Sequence, residues 1–195
     1  MTSSRQDEFT LDPLDWRPHV TPVSLDDATD EQRRAMAVTP SNTGVSPYVL
    51  ALAHEPAALA ERTPLFNDIM YARGGLGRGA REMGALAASV VNGCIYCAQV
   101  HASRHVQLEK RPESIAAIFA DGDDARLPDA DQVPFDFGVR LTTDPQGVGP
   151  ADLQRLRQAG LDNLQVMDLI HSVAVFGWAN RLMHTLGEAV PKGQE

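Results

Sequence analysis

The 195-residue sequence predicts an all-α fold, and three observations carry that reading. No segment sustains the period-2 alternation of a half-buried strand, Ala- and Leu-rich stretches repeat apolar residues at helical spacing, and capping signals punctuate the chain. The length suits one domain against roughly 100–200 residues per domain. Residues 1–26 hold Pro13, Pro18 and Pro22 without a sustained period, so they are expected as an extended arm on the body or on a neighbouring subunit. From Ser24, SLDDATDEQRRAMAV places acids early and Arg33 and Arg34 late, the charge order of a first helix. The division expected is therefore 1–45, arm plus first helix packing on the body, and 46–195, a helical domain.

SNTGVSPY reads as a loop, SPYVLALAHEP as a helix, and PAALAERTPLFNDIMYARG as another opened by Pro56. The glycine cluster GGLGRG (74–79) lacks the G-x-x-x-x-G-K-[ST] spacing and a preceding strand, so it is expected as a loop rather than a nucleotide site. GAREMGALAASVVNG is a helix stopped at Asn92-Gly93, and CIYCAQVHASRHVQLEKR is a second helix directly after it. PESIAAIFADG is short and glycine-stopped, another helix lies around 130–142, and GPADLQRLRQAGL is a short capped one. The last, DNLQVMDLIHSVAVFGWANRLMHTLGEAV, is long, with Leu164, Met167, Ile170, Val173, Phe176 and Trp178 expected on one broad apolar face.

Composition narrows function. The chain is 43% hydrophobic and 22% charged, as in a globular protein, and its net charge of −9 repels nucleic acid and anionic lipid surfaces. No apolar run approaches the roughly 20 residues of a membrane span, and MTSSRQDEFTLDPLDW lacks a secretion-signal layout, so a cytoplasmic location is expected. Two cysteines cannot form a disulfide scaffold, and their close spacing points to chemistry or metal.

Cys94 and Cys97 form C-x2-C, with His101 four residues on. Neighbours at i+3 and i+4 share a helix face, so the three line one stripe, and the first turn of a new helix favours the reactive thiolate. His101 is then positioned to relay a proton. Glu82 is the nearest upstream carboxylate. In a straight helix it would lie roughly 18 Å from Cys94. It joins the site only if the chain reverses at Asn92-Gly93.

Rival readings weigh less. Zinc held by Cys94, Cys97, His101 and His105 would need ligands spread over roughly 16 Å of one helix to converge on one ion. A thioredoxin reading wants a strand before C-x-x-C. His105 is expected at the surface or an interface, His171 in the core, Phe176, Trp178 and Met183 in core or interface, and Arg181 in an ion pair. Tyr96 either orients a substrate or packs. Metal and cofactor are expected to be absent.

The string REMGALAASVVNGCIYCAQVH, with Glu82, Asn92, Gly93, Cys94, Tyr96, Cys97 and His101 in the pattern E-x11-C-x2-C-x3-H, resembles the alkylhydroperoxidase D-like family of the carboxymuconolactone decarboxylase superfamily, in its peroxidase-related branch. The resemblance is strongest over 65–110 and weaker in FGWANRLMHTLG (176–187). It implies an all-helical fold, homo-oligomeric assembly and thiol-dependent reduction of alkyl or hydrogen peroxides. Cys97 would then be the peroxidatic cysteine and Cys94 the resolving one, with Glu82 and His101 as proton relay. The partners implied are a peroxide and an external thiol or dithiol reductant, for which a lipoyl or thioredoxin-like protein is the candidate. The best-studied branch has histidine where this chain has Tyr96. Alternatives from other classes are a non-catalytic redox-sensing or antioxidant-defence protein, and a carboxymuconolactone decarboxylase-like enzyme.

Overall fold

A computed structural model describes residues 8–37 and 44–193. The fold is mainly helical, as expected. Its helices are α1 (Asp30–Ala35), α2 (Pro47–Leu52), α3 (Pro56–Tyr71), α4 (Arg78–Val91), α5 (Ile95–Glu109), α6 (Pro112–Asp121), α7 (Asp129–Thr143), α8 (Pro150–Gln158) and α9 (Asn163–Leu186). Two short strands, β1 (Leu14–Pro18) and β2 (Gly187–Pro191), pair antiparallel with Trp16 opposite Ala189.

That sheet corrects two expectations. Part of the N-terminal arm is a strand, and the last helix stops at Leu186 instead of running on through EAV. Five-residue strands closed by proline are too short to show alternation. The first helix is also shorter than expected. Thr29 caps it, accepting from the Gln32 backbone at 3.2 Å while Gln32 Oε1 accepts from the Thr29 N–H at 2.9 Å, which leaves Asp26 and Asp27 in the preceding turn. Residues 1–7 of the arm, Val38 at the end of the expected first helix and 41–43 of the following loop lie outside the described residues.

α4 is the central helix, packed against α5, α7 and α9. Small residues allow this: Ala85, Ala87 and Ala88 are fully buried. A Cβ built on Gly84 would stand 2.8 Å from Ser172 Oγ and 2.9 Å from Leu169 Cδ1, both of α9. One core, including Ile69, Ala88, Phe137, Leu169 and Val173, fills the α3–α4–α7–α9 side, and a second, including Met83, Leu86, Ala98, Ile115 and Phe135, fills the α4–α5–α6–α7 side.

Gly74 to Gly77 of the glycine cluster form a loop, tied to the body by a buried cation, while Arg78 and Gly79 already belong to α4. Arg81, 2% exposed, donates to the carbonyls of Ile69, Gly74 and Leu76 and at 2.7 Å to Asp168 Oδ2, which also accepts from the Leu76 N–H. A buried guanidinium needs such saturation.

The last helix presents a different face from the one expected. Val166, Leu169, Val173, Phe176, Ala179 and Met183 are buried, whereas Leu164, Met167 and Trp178 are exposed, Trp178 at 45%. His171 is exposed rather than a core histidine, and Arg181 donates to the Gly177 carbonyl of its own helix rather than to an acid. No helix among the described residues is long and apolar enough to cross a membrane.

Candidate functional site

The chain reverses where the sequence requires it. Asn92 ends α4, Gly93 takes φ +69°, its N–H donates to Val90 O at 3.0 Å, and the Cys94 N–H donates to Ser89 O at 2.8 Å. These two bonds, with a left-handed residue between them, make a Schellman turn, which a glycine accommodates without strain. α5 starts at once. Cys94 therefore occupies its N-cap position, and Cys97 and His101 lie one and two turns in.

The reversal brings Glu82 to His101. Glu82 Oε2 lies 2.6 Å from His101 Nδ1, and both side chains are nearly sealed from solvent. On its other oxygen Glu82 accepts from Arg78 Nε at 2.7 Å and from Arg78 Nη2. Burial pushes the Glu82 carboxyl up, but the hydrogen bond and charge of His101, joined by Arg78, outweigh it and hold the group below its ordinary value. The carboxylate is thus anionic, and Nε2 is the ring nitrogen left to exchange a proton.

The two cysteines are free thiols, 2% and 5% exposed, with sulfurs 2.7 Å apart. They share an apolar cluster with Trp16, Ala51 and Met183, flanked by Tyr48, Tyr96 and Leu186. The pair holds its charge unequally. The hydrogen bond from Cys97 lowers the Cys94 pKa against the effect of burial, helped by the Cys97 backbone N–H and the Asn180 amide. That same bond, with burial and the Cys94 charge, raises Cys97 well above the ordinary thiol range. Of the two thiols, Cys94, at the positive end of α5, is the more readily deprotonated, and Cys97 holds its proton more firmly.

Two clefts meet at this pair. The first, about 170 Å³, is lined by Cys97, His101 and Glu82 together with Tyr48, Arg62, Phe66, Tyr71 and Phe176. The second, about 320 Å³, is lined by Cys94 and by the sheet side chains Trp16 and Glu188. Tyr96 and Met183 border both. Tyr96 therefore stands between the clefts, its hydroxyl pKa raised by burial and by the nearby thiols and Asp15.

All four expected site residues, Glu82, Cys94, Cys97 and His101, are thus brought together. His105 is not at the surface: it is fully buried, its Nδ1 3.2 Å from Gly79 O and its Nε2 3.4 Å from Asp131 Oδ2, away from the cysteines. Asp131 also accepts a bidentate pair from Arg111 and a hydrogen bond from Ser114, so burial is overcome and its carboxyl sits well below the usual carboxylate range. Among the described residues no group of three or more His, Cys, Asp or Glu is arranged to hold a metal ion.

Sequence reasoning missed three residues. Asn180 is fully buried, accepts from Asn92 Nδ2 at 3.0 Å, donates to Ser89 Oγ at 3.3 Å, and stabilises charge on both sulfurs. Its signal was the FGWANRLMHTLG segment, in which it went unassigned. Tyr48 and Arg62 carry no motif at all; only the fold brings α2 and α3 against the cysteine helix.

Residues 56–129, which include Glu82, both cysteines and His101, match the carboxymuconolactone decarboxylase family. The solved alkylhydroperoxidase AhpD core, an uncharacterized peroxidase-related protein from Ralstonia eutropha JMP134, is similar at 26% identity and TM-score 0.75, over 87% of this chain and 90% of that one. An uncharacterized peroxidase-related protein from Silicibacter sp. TM1040 is similar at 25% identity and TM-score 0.72, over 90% and 96%. The apo debrominase Bmp8, at 18% identity and TM-score 0.69 over 87% and 90%, shares the fold. No curated protein matches the sequence. Its helical fold, its matched segment and these neighbours make the chain similar to the alkylhydroperoxidase D-like proteins of the carboxymuconolactone decarboxylase superfamily.

Proposed function

We propose that the chain is a thiol-dependent hydroperoxidase working through Cys94 and Cys97. Similarity to that superfamily supports a peroxidase-related or decarboxylase-like function. The observation that carries the finer reading is the pair of free sulfurs 2.7 Å apart, one of which shares a cleft with a hydrogen-bonded Glu82–His101 pair.

Cys97, facing the relay, attacks the distal peroxide oxygen. Its proton passes through His101 to the departing alkoxide, giving Cys97 sulfenic acid and an alcohol. Cys94, as its thiolate, then attacks the sulfenic sulfur; hydroxide leaves, takes up a proton as water, and the disulfide closes. An external dithiol restores both thiols by exchange. The cleft at Cys94 supports its approach from the side away from the relay. The reducing cytoplasm, a lipoyl or thioredoxin-like reductant and a homo-oligomeric assembly complete the proposal, and sedimentation of a species larger than a monomer checks the last.

Titrating the reduced protein with peroxide, followed by differential alkylation and mass spectrometry, tests the assignment. Wild type is expected to form the 94–97 disulfide, and Cys94→Ser to trap a sulfenic acid on Cys97. Oxidation only at the rate of a free thiol overturns the peroxidase reading. One oxidation with no turnover in the presence of dithiols marks a redox sensor instead, and activity that survives loss of both cysteines marks a decarboxylase-like enzyme.

A further inference from the structure

Two polar groups in the Cys97 cleft have no partner. Tyr48 Oη and Arg62 Nε are shut off from solvent without a hydrogen bond, although both side chains line the cavity that holds Cys97, His101 and Glu82. Buried donors left unpaired are costly, and a guanidinium without a counter-charge more so. The other cations lining the cavity are occupied: Arg78 pairs with Glu82 and stacks on Tyr71, and Arg104 donates to Gln107. Among the described residues no carboxylate pairs with Arg62. Its guanidinium lies 4.4 Å from the centre of the Phe66 ring, and the groups that influence its charge are the two phenols Tyr48 and Tyr71. The two groups feel one another. Burial raises the Tyr48 hydroxyl to about 12, with Arg62 as the largest opposing influence, so the phenol stays a donor.

The apolar walls include Phe66, Met70, Tyr71, Tyr96 and Phe176, and the volume of about 170 Å³ is that of one aromatic ring with short substituents. An anion-accepting end, an apolar waist and a thiol with its proton relay thus lie in one small cavity.

Building on the peroxidase reading, we propose that the oxidising substrate is a small aryl or compact apolar hydroperoxide bearing a carboxylate, with that carboxylate seated on Arg62 and the Tyr48 hydroxyl while the peroxide meets Cys97. The anion completes the hydrogen bonding of both side chains, and the ring fills the aromatic waist.

Benzoate and its neutral isostere benzamide probe the seat without any turnover. Calorimetric titration of the reduced wild-type protein is expected to give benzoate about tenfold the affinity of benzamide, the increment of one charge-assisted pair. Arg62→Gln should erase that preference, Arg62→Lys should keep part of it, and Tyr48→Phe should weaken benzoate several-fold. Kinetically, para-carboxylated cumene hydroperoxide should be preferred over cumene hydroperoxide by a similar ratio, and Arg62→Gln should collapse the ratio. Equal binding of benzoate and benzamide to the wild type overturns the seat with no variant needed, as does unchanged benzoate affinity in a folded Arg62→Gln protein. Arg62-dependent benzoate binding in a protein whose thiols ignore every peroxide keeps the seat and removes the peroxidase reading. Rapid thiol oxidation without charge preference does the reverse.

Discussion

Glu82 is bound on both oxygens, by His101 and by Arg78, and losing its charge should show in chemistry before stability. Glu82→Gln leaves His101 without the anion that orients it, and a relay contribution of this kind is worth about 10²-fold or more in rate. The expected result is a fall of about 10²-fold in peroxide kcat/KM with the 94–97 disulfide still able to form slowly; an unchanged rate would remove Glu82 from the relay. Asp131 is the structural counterpart. Its three partners, Arg111, Ser114 and His105, pin α5, α6 and α7 together, so Asp131→Asn, which removes the buried anion they share, should cost about 3 kcal/mol in urea unfolding. Both carboxyls have lowered folded-state pKa values, so each contributes stability that is present above the ordinary carboxylate value near 4 and is lost as pH falls below it. The melting temperature should therefore hold down to about pH 5 and drop steeply toward pH 3, less steeply in Asp131→Asn. Equal acid slopes for wild type and variant would contradict the assignment.

At the level of elements, α4 decides the geometry, because everything in the site hangs on its sides or on the turn that ends it. Gly84→Ala tests the close approach. Alanine favours the helix by about 1 kcal/mol, but its methyl would enter within 2.9 Å of buried α9 atoms, and Ser172 Oγ is itself held by Leu169 O. Crowding should win, with a net loss of about 1–2 kcal/mol read from the urea midpoint; a more stable variant would mean that α9 moves freely. Much of this level was legible in the sequence. Asn92-Gly93 marked the reversal, Pro56 and Pro112 marked helix starts, and the spacing of Cys94, Cys97 and His101 needed only that reversal to meet Glu82. What escaped was whatever depends on distant segments meeting. Trp178, expected in core or interface, lies outside the core of the single chain, because periodicity reports which residues are apolar, not which flank finds a neighbour. His105 looked like surface because Asp131, its partner in space, lies 26 residues away in sequence. Tyr48 and Arg62 became interesting only once their hydroxyl and guanidinium were found unpaired.

Taken whole, the molecule buries its helices in two cores around α4 and closes the thiol pair with something much slighter. Trp16 of β1 donates from its indole to Met183 O at 3.3 Å, stands edge-on to Tyr48 and packs in the cluster that contains both sulfurs. Two five-residue strands on their own are marginal in water, whereas the helical cores share in global stability. Hydrogen exchange should therefore find amides of residues 14–17 and 187–190 opening faster than those of 83–89, by orders of magnitude. Equal protection would mean that the sheet unfolds only with the body.

The strands that make this cover come from opposite ends of the described chain, so they act as a clasp rather than a wall. Unfastening it takes no helix apart. A thiol that is 2% exposed on average would then meet large reagents at a rate set by how often the clasp opens, and small ones at a rate set by diffusion through the cleft. The fold would thus sort its visitors by size through timing rather than through a fixed aperture.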